Sequence, residues 1–158
     1  MLKKFLLLCV MLLTVLSASA GFAAGKYSPA IAAARAEMPA AVEMNGLDEH
    51  DGIIVLDFSD PKTLLYYEVK VASATNKVME INVKGSNLPG STIIEKTPEE
   101  LREKVLAEYP DAKDISFRIK SEGNLEYYEA TFTTTKFNAN VEINPLTGAF
   151  CKRELKYF

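Results

Sequence analysis

The chain has 158 residues, 48% of them hydrophobic, and carries 18 basic against 21 acidic side chains for a net charge of −3. An acidic balance excludes proteins that hold nucleic acid by neutralising its phosphates, which need a basic patch. Two cysteines, one of them in the leader described next, exclude an internal disulfide framework, so the fold must rest on an apolar core.

Lys3 and Lys4 precede an apolar run from Phe5 to Leu16, and Ser17-Ala18-Ser19-Ala20 supplies small residues in the A-x-A pattern that signal peptidase reads. The run is about 12 residues long, too short for the roughly 20 that a membrane-spanning helix needs. Residues 1–20 thus read as a secretory signal peptide. The mature protein is expected to be exported, to periplasm or medium, with no membrane anchor after cleavage. Cys9 lies inside the run rather than at its end, which argues against a lipid anchor. Cleavage leaves 138 residues (158 less 20), and loss of Lys3 and Lys4 leaves 16 basic against 21 acidic groups, a net charge of −5.

Residues 21–27 read as a flexible lead-in. Ser28-Pro29 then has the form of an N-cap followed by proline at the first helical position, and Ala30 to Met38 is rich in helix formers until Pro39 stops it. Asn45-Gly46 and His50-Asp51-Gly52 are turn signals. Ile53 to Phe58, Leu64 to Ala72 and Val78 to Val83 are predicted strands, the second with Tyr67, Val69 and Val71 alternating against Tyr66, Glu68 and Lys70. Lys84 to Gly90 is a connector, and Ser91 to Lys96 is a candidate short strand.

Thr97-Pro98-Glu99-Glu100 is a capping box with proline next to the cap, and Leu101, Val105 and Tyr109 form one stripe before Pro110 ends the helix. Ile115, Phe117 and Ile119 then alternate, Glu122-Gly123-Asn124 turns, and extended segments follow over Leu125 to Lys136, Asn138 to Asn144 and Ala149 to Lys156. Pro145-Leu146-Thr147-Gly148 joins the last two.

The two halves share letters as well as order. Ala36-Glu37-Met38-Pro39 matches Ala107-Glu108-Tyr109-Pro110, Leu65-Tyr66-Tyr67-Glu68-Val69 matches Glu126-Tyr127-Tyr128-Glu129-Ala130, and Val78-Met79-Glu80-Ile81-Asn82 matches Asn140-Val141-Glu142-Ile143-Asn144. The alignment requires an insertion in the first half near Ala41 to Asp51, and it pairs Met79 and Ile81 with Val141 and Ile143 as inward residues. The expectation is an α+β fold made of a tandem repeat, each unit one helix packed on a three- to four-stranded antiparallel sheet, with repeats at 28–90 and 91–158. Whether the units form two layers or one continuous sheet is left open by the sequence.

The second half resembles the PepSY domain family, through the helix ending in Tyr109-Pro110-Asp111-Ala112, the Tyr128-Glu129-Ala130 strand and the closing Ile143-Asn144-Pro145-Leu146-Thr147-Gly148-Ala149 hairpin. Asn144 stands where the family usually has Asp, and Asn can make the same side-chain turn. The first half keeps Tyr67-Glu68-Val69 but has Lys84-Gly85 in place of the Thr-Gly turn. The resemblance implies a secreted module that binds and restrains peptidases or senses conditions near the cell surface. The tandem arrangement is also similar, in architecture alone, to secreted beta-lactamase inhibitor proteins.

No catalytic residue, cofactor site or metal site is assigned. His50 lacks the companions that zinc or general-base work requires, and the carboxylates near it, Asp48, Glu49 and Asp51, even joined by Asp57 and Asp60, lack calcium-loop order. Glu37 with Glu108 and Glu68 with Glu129 are pairs by repeat, without a feature that separates their roles as acid and base. The outward strand residues Tyr66, Glu68, Lys70, Tyr127, Glu129 and Thr131 are the candidate partner-binding set, because exposed tyrosines among charges suit a recognition surface. The expected activity is a non-catalytic binding module whose partner is an unidentified protein, with a peptidase implied by the resemblance. A sensor of a small ligand or metal is the alternative.

Overall fold

Alternation of apolar and polar residues marks most of the eight strands, the first, interrupted by a bulge, being the exception, and two segments of helical period produce two helices. The computed structural model describes residues 25–158, and the expected signal peptide lies outside them. Helix α1 occupies 25–36. It is followed by β1 (Glu43–His50), β2 (Ile53–Asp60), β3 (Leu65–Ala72), β4 (Val78–Lys84) and α2 (Pro98–Glu108). The chain ends with β5 (Lys113–Glu122), β6 (Leu125–Thr133), β7 (Phe137–Ile143) and β8 (Phe150–Tyr157). No helix among the described residues is long and apolar enough to cross a membrane.

All eight strands belong to one antiparallel sheet in the order β1-β2-β3-β4-β8-β7-β6-β5. This overturns the expected tandem repeat of helix-on-sheet units. The edge of β4 pairs with β8 over Glu80↔Lys156 to Lys84↔Lys152, so two four-strand meanders that would each have left an unpaired edge are one sheet. One apolar cluster runs across that seam, from Leu56 and Val69 through Ile81 and Leu155 to Val141 and Ala130. Ala30 and Ala34 of α1 and Leu101 and Val105 of α2 are buried in the same cluster, so both helices cover the same face. Burial of each large aliphatic side chain there is worth about 1.5–3 kcal/mol relative to exposure.

The capping box forms as read: the Thr97 hydroxyl accepts from the Glu100 N–H, and the Glu100 carboxylate accepts from the Thr97 N–H at 2.9 Å. The other helix differs from expectation, since it is already helical at 25, so Ser28 and Pro29 lie within it and residues 25–27 are not a flexible lead-in. Proline's fixed φ is helical, and it forfeits one N–H toward the carbonyl four residues earlier.

The supposed insertion at 41–51 is largely strand β1. Asn45-Gly46 is a bulge rather than a turn: the register against β2 shifts between Met44 and Gly46, and a Cβ on Gly46 would lie 2.9 Å from an Asp57 carboxylate oxygen. The register also shifts between Lys70 and Val71, so Val71 pairs with Val78, and Met79 is exposed instead of inward. Ser91 to Lys96 makes only an isolated bridge, Ser91 to Glu126.

Candidate functional site

The sheet face opposite the helices carries the outward set. Cross-strand pairing sets one row of Ser59, Tyr66, Lys84, Lys152, Glu142 and Glu129, and a second of Asp57, Glu68, Asn82, Glu154, Asn140 and Thr131. Tyr66 is 58% exposed. Beside it lies a groove of about 540 Å³, bordered by Asn45, Asp57, Tyr66, Glu68, Asn82 and Lys152.

The six predicted residues share this face but do not converge. β3 and β6 are four strands apart, about 19 Å at the usual strand spacing. Tyr66 and Glu68 line the groove. Lys70 is one row away, its ammonium 2.7 Å from Glu80 and 3.6 Å from Glu68, and the Glu80 hydrogen bond pushes its pKa up.

The β6 residues are engaged elsewhere. Glu129 is only 9% exposed and takes ion pairs from Arg118 and Lys120. Thr131 shares a 2.7 Å hydroxyl contact with Ser116. Tyr127 packs beside Leu88, Pro89 and Gly90 of the connector, and burial raises its pKa.

Asn45, Asp57, Asn82 and Lys152 are groove residues outside the partner-binding set read from the sequence. The outward parity of Asp57, Asn82 and Lys152 is visible in each strand, whereas Asn45 sits at the bulge of β1, and the β4–β8 pairing that brings Lys152 to Asn82 is a long-range fact. The Asn82 amide donates to Glu68 at 3.2 Å and to Glu80 at 2.8 Å, so a side-chain network spans β3 and β4. On Glu80, burial opposes ionisation, and hydrogen bonds from Lys70 and Asn82 outweigh it, holding the carboxyl below its ordinary pKa. Further along the same row, the Asn140 side-chain oxygen is buried without a hydrogen-bond partner.

A second concavity, of about 370 Å³, opens on the helix side between the ends of α1 and α2. Its floor includes Tyr67 from β3 and Arg153 from β8, and its rim includes Glu37, Glu108 and Lys136. Glu37 accepts from Lys136 at 3.0 Å and from the Tyr157 hydroxyl at 3.2 Å, while Arg153 pairs with Glu108 at 3.1 Å. Burial first, then the Glu37 charge, raises the Tyr157 pKa strongly.

Neither concavity is lined by histidine or cysteine. His50 stands at the end of β1 with its ring 3.2 Å from Asp48, and among the described residues no group of three or more metal-ligating side chains is assembled. Cys151 is buried. Both linings combine aromatic rings, carboxylates and cationic side chains, and the sheet-face groove adds the amides of Asn45 and Asn82.

No protein-family profile matches the chain, and no curated protein or solved structure is significantly similar to it.

Proposed function

We propose that the protein is an exported, non-catalytic binding module that holds a partner protein on the open face of its sheet. The observation that carries this reading is the exposed Tyr66 beside a groove whose walls alternate carboxylate, amide and ammonium groups. A tyrosine brings large contact area with little rotamer entropy to lose, and the polar surround fixes orientation. The contact centre is the β3 side of the face, not the β6 side, because Glu129, Thr131 and Tyr127 already have partners within the chain. The PepSY resemblance supports a peptidase as that partner, and the leader pattern of residues 1–20 supports export.

The test is capture from the producer's secreted and envelope fraction with wild type, Tyr66→Ala and Tyr127→Ala proteins, each first shown to be folded by circular dichroism. Capture of a peptidase that Tyr66→Ala abolishes and Tyr127→Ala retains is the expected outcome. Capture indifferent to Tyr66 would remove the groove from consideration. Mass spectrometry of the exported form is expected to show a chain shorter by residues 1–20.

A further inference from the structure

We propose that the cleft between the two helix ends binds a small zwitterion, a free α-amino acid, independently of the open face. The argument begins with the repeated Ala-Glu-x-Pro sequence. Pro39 and Pro110 follow the helices and cannot donate to a preceding carbonyl; the Glu37, Met38 and Tyr109 N–H groups cap the Ala34, Arg35 and Val105 carbonyls, and each helix end keeps the partial negative charge of its dipole. Basic side chains are favoured at such an end, yet Glu37 follows α1 directly and Glu108 is the last residue of α2, whose final turn has no basic residue. Both carboxylates stand on the rim of one cleft. Each carboxylate is met by one cation, Glu37 by Lys136 and Glu108 by Arg153, and an ammonium group placed between the two carboxylates adds a second.

The floor has the opposite character. Arg153 has five N–H donors, and its one ion pair among the described residues is to Glu108, with the Phe150 ring 5.0 Å from the guanidinium on one side. Tyr67 is 7% exposed, lines the cleft, and its hydroxyl has no hydrogen-bond partner among the described residues. A guanidinium and a free phenol on the floor present donors to a carboxylate. Between floor and rim the walls are apolar, from Val83, Phe137 and Leu155, and suit an aliphatic or aromatic side chain. The volume of about 370 Å³ lies within the range of roughly 300–1,000 Å³ usual for small-molecule sites. Lys136, which is exposed and holds Glu37 at 3.0 Å, is the group that an incoming ammonium displaces. Asp111 adds a further rim carboxylate, occupied by Thr135.

The experiment is isothermal titration of the purified protein with the proteinogenic L-amino acids one at a time, and then with the N-acetyl and methyl-ester forms of any that bind. Binding of at least one free amino acid, weakened about tenfold or more by blocking either charge, is the expected result. Tyr67→Phe is expected to weaken that binding about tenfold, and Tyr66→Ala to leave it unchanged. If Tyr67→Phe does not fold, Glu108→Gln at the half-exposed rim serves instead, with a like loss. No heat with any amino acid up to millimolar concentration, or equal binding of the blocked forms, overturns the proposal. Because Tyr66 lies on the opposite face, failure here leaves the protein-capture result untouched, and the reverse.

Discussion

Asn144 shows how much one side chain can settle. Its carbonyl oxygen accepts from the backbone N–H groups of Leu146 and Thr147, both at 3.0 Å, which is the turn expected of Asp or Asn at this place. Its amide nitrogen also donates to the carbonyls of Leu88 and Gly90, at 3.4 and 3.2 Å, bonds that an Asp could not donate. Asn144→Asp is therefore expected to keep the hairpin and loosen the connector. Cys151 reports on that connector: it is buried, its thiol lies 3.5 Å from the Leu88 carbonyl, and burial pushes its pKa up. In a Cys9→Ser background the thiol should react slowly with a disulfide reagent in buffer and rapidly in urea, and faster native labelling in Asn144→Asp would show the connector lifting. A second residue-scale prediction concerns acid. The Asp111 carboxylate accepts from the Thr135 hydroxyl at 2.6 Å and from its N–H at 2.9 Å, and these bonds hold its pKa below the ordinary value. A depressed folded-state pKa gives stability that is present above the unfolded value, about 3.9, and is lost as pH falls through the lower folded value. The thermal midpoint should drop below pH of about 4, and Asp111→Asn should flatten that drop while lowering the midpoint at neutral pH.

At the scale of elements, what could be read early is what depends on neighbours in sequence. Helix α2 was legible because its cap, its proline and its apolar stripe at Leu101 and Val105 lie within one short segment, and all act locally. Thr97→Ala is expected to cost about 1 kcal/mol in urea titration, with the sheet's circular dichroism unchanged, since it removes one acceptor from an orphan helix N–H. Strand β1 was not legible, because Asn-Gly is the commonest hairpin turn and the register shift against β2 that makes it a bulge is a cross-strand feature. The same division runs through the candidate site. Outward parity identified Tyr66 and Glu68 from β3 alone, but Glu129 has the same parity and is sealed by Arg118 from β5. Parity states which face a side chain occupies, not which cation waits on the next strand. The helix-side cleft was still less visible, since Arg153 and Tyr67 meet there only through the β3-β4-β8 order. Its one early signal was the repeated Glu at 37 and 108, whose shared location no spacing could reveal.

For the whole molecule the decisive contact is the β4–β8 seam. Two meanders with separate cores would unfold independently, whereas a continuous ladder and a shared apolar cluster couple them. Ile81 on β4 sits directly opposite Leu155 on β8, and both are buried in the cluster that reaches from β2 to β6. Ile81→Ala should cost about 2–5 kcal/mol through lost burial and the cavity left behind. The informative quantity is where that loss appears. In native-state hydrogen exchange, the amides of β2 and β3 and those of β6 and β7 should lose protection by the same free energy, because opening either half exposes the other half's seam edge and apolar face. A loss confined to β2 and β3 would mean that the halves open separately and that the seam is only a contact between them. The two candidate surfaces depend on the answer, since the groove takes Lys152 from β8 and the cleft takes Arg153 from the same strand, each facing residues of the first half. If the seam is the common cooperative unit, Ile81→Ala should weaken partner capture in proportion to the fraction of protein it unfolds, and amino-acid binding by at least that much, because Ile81 also lines the cleft.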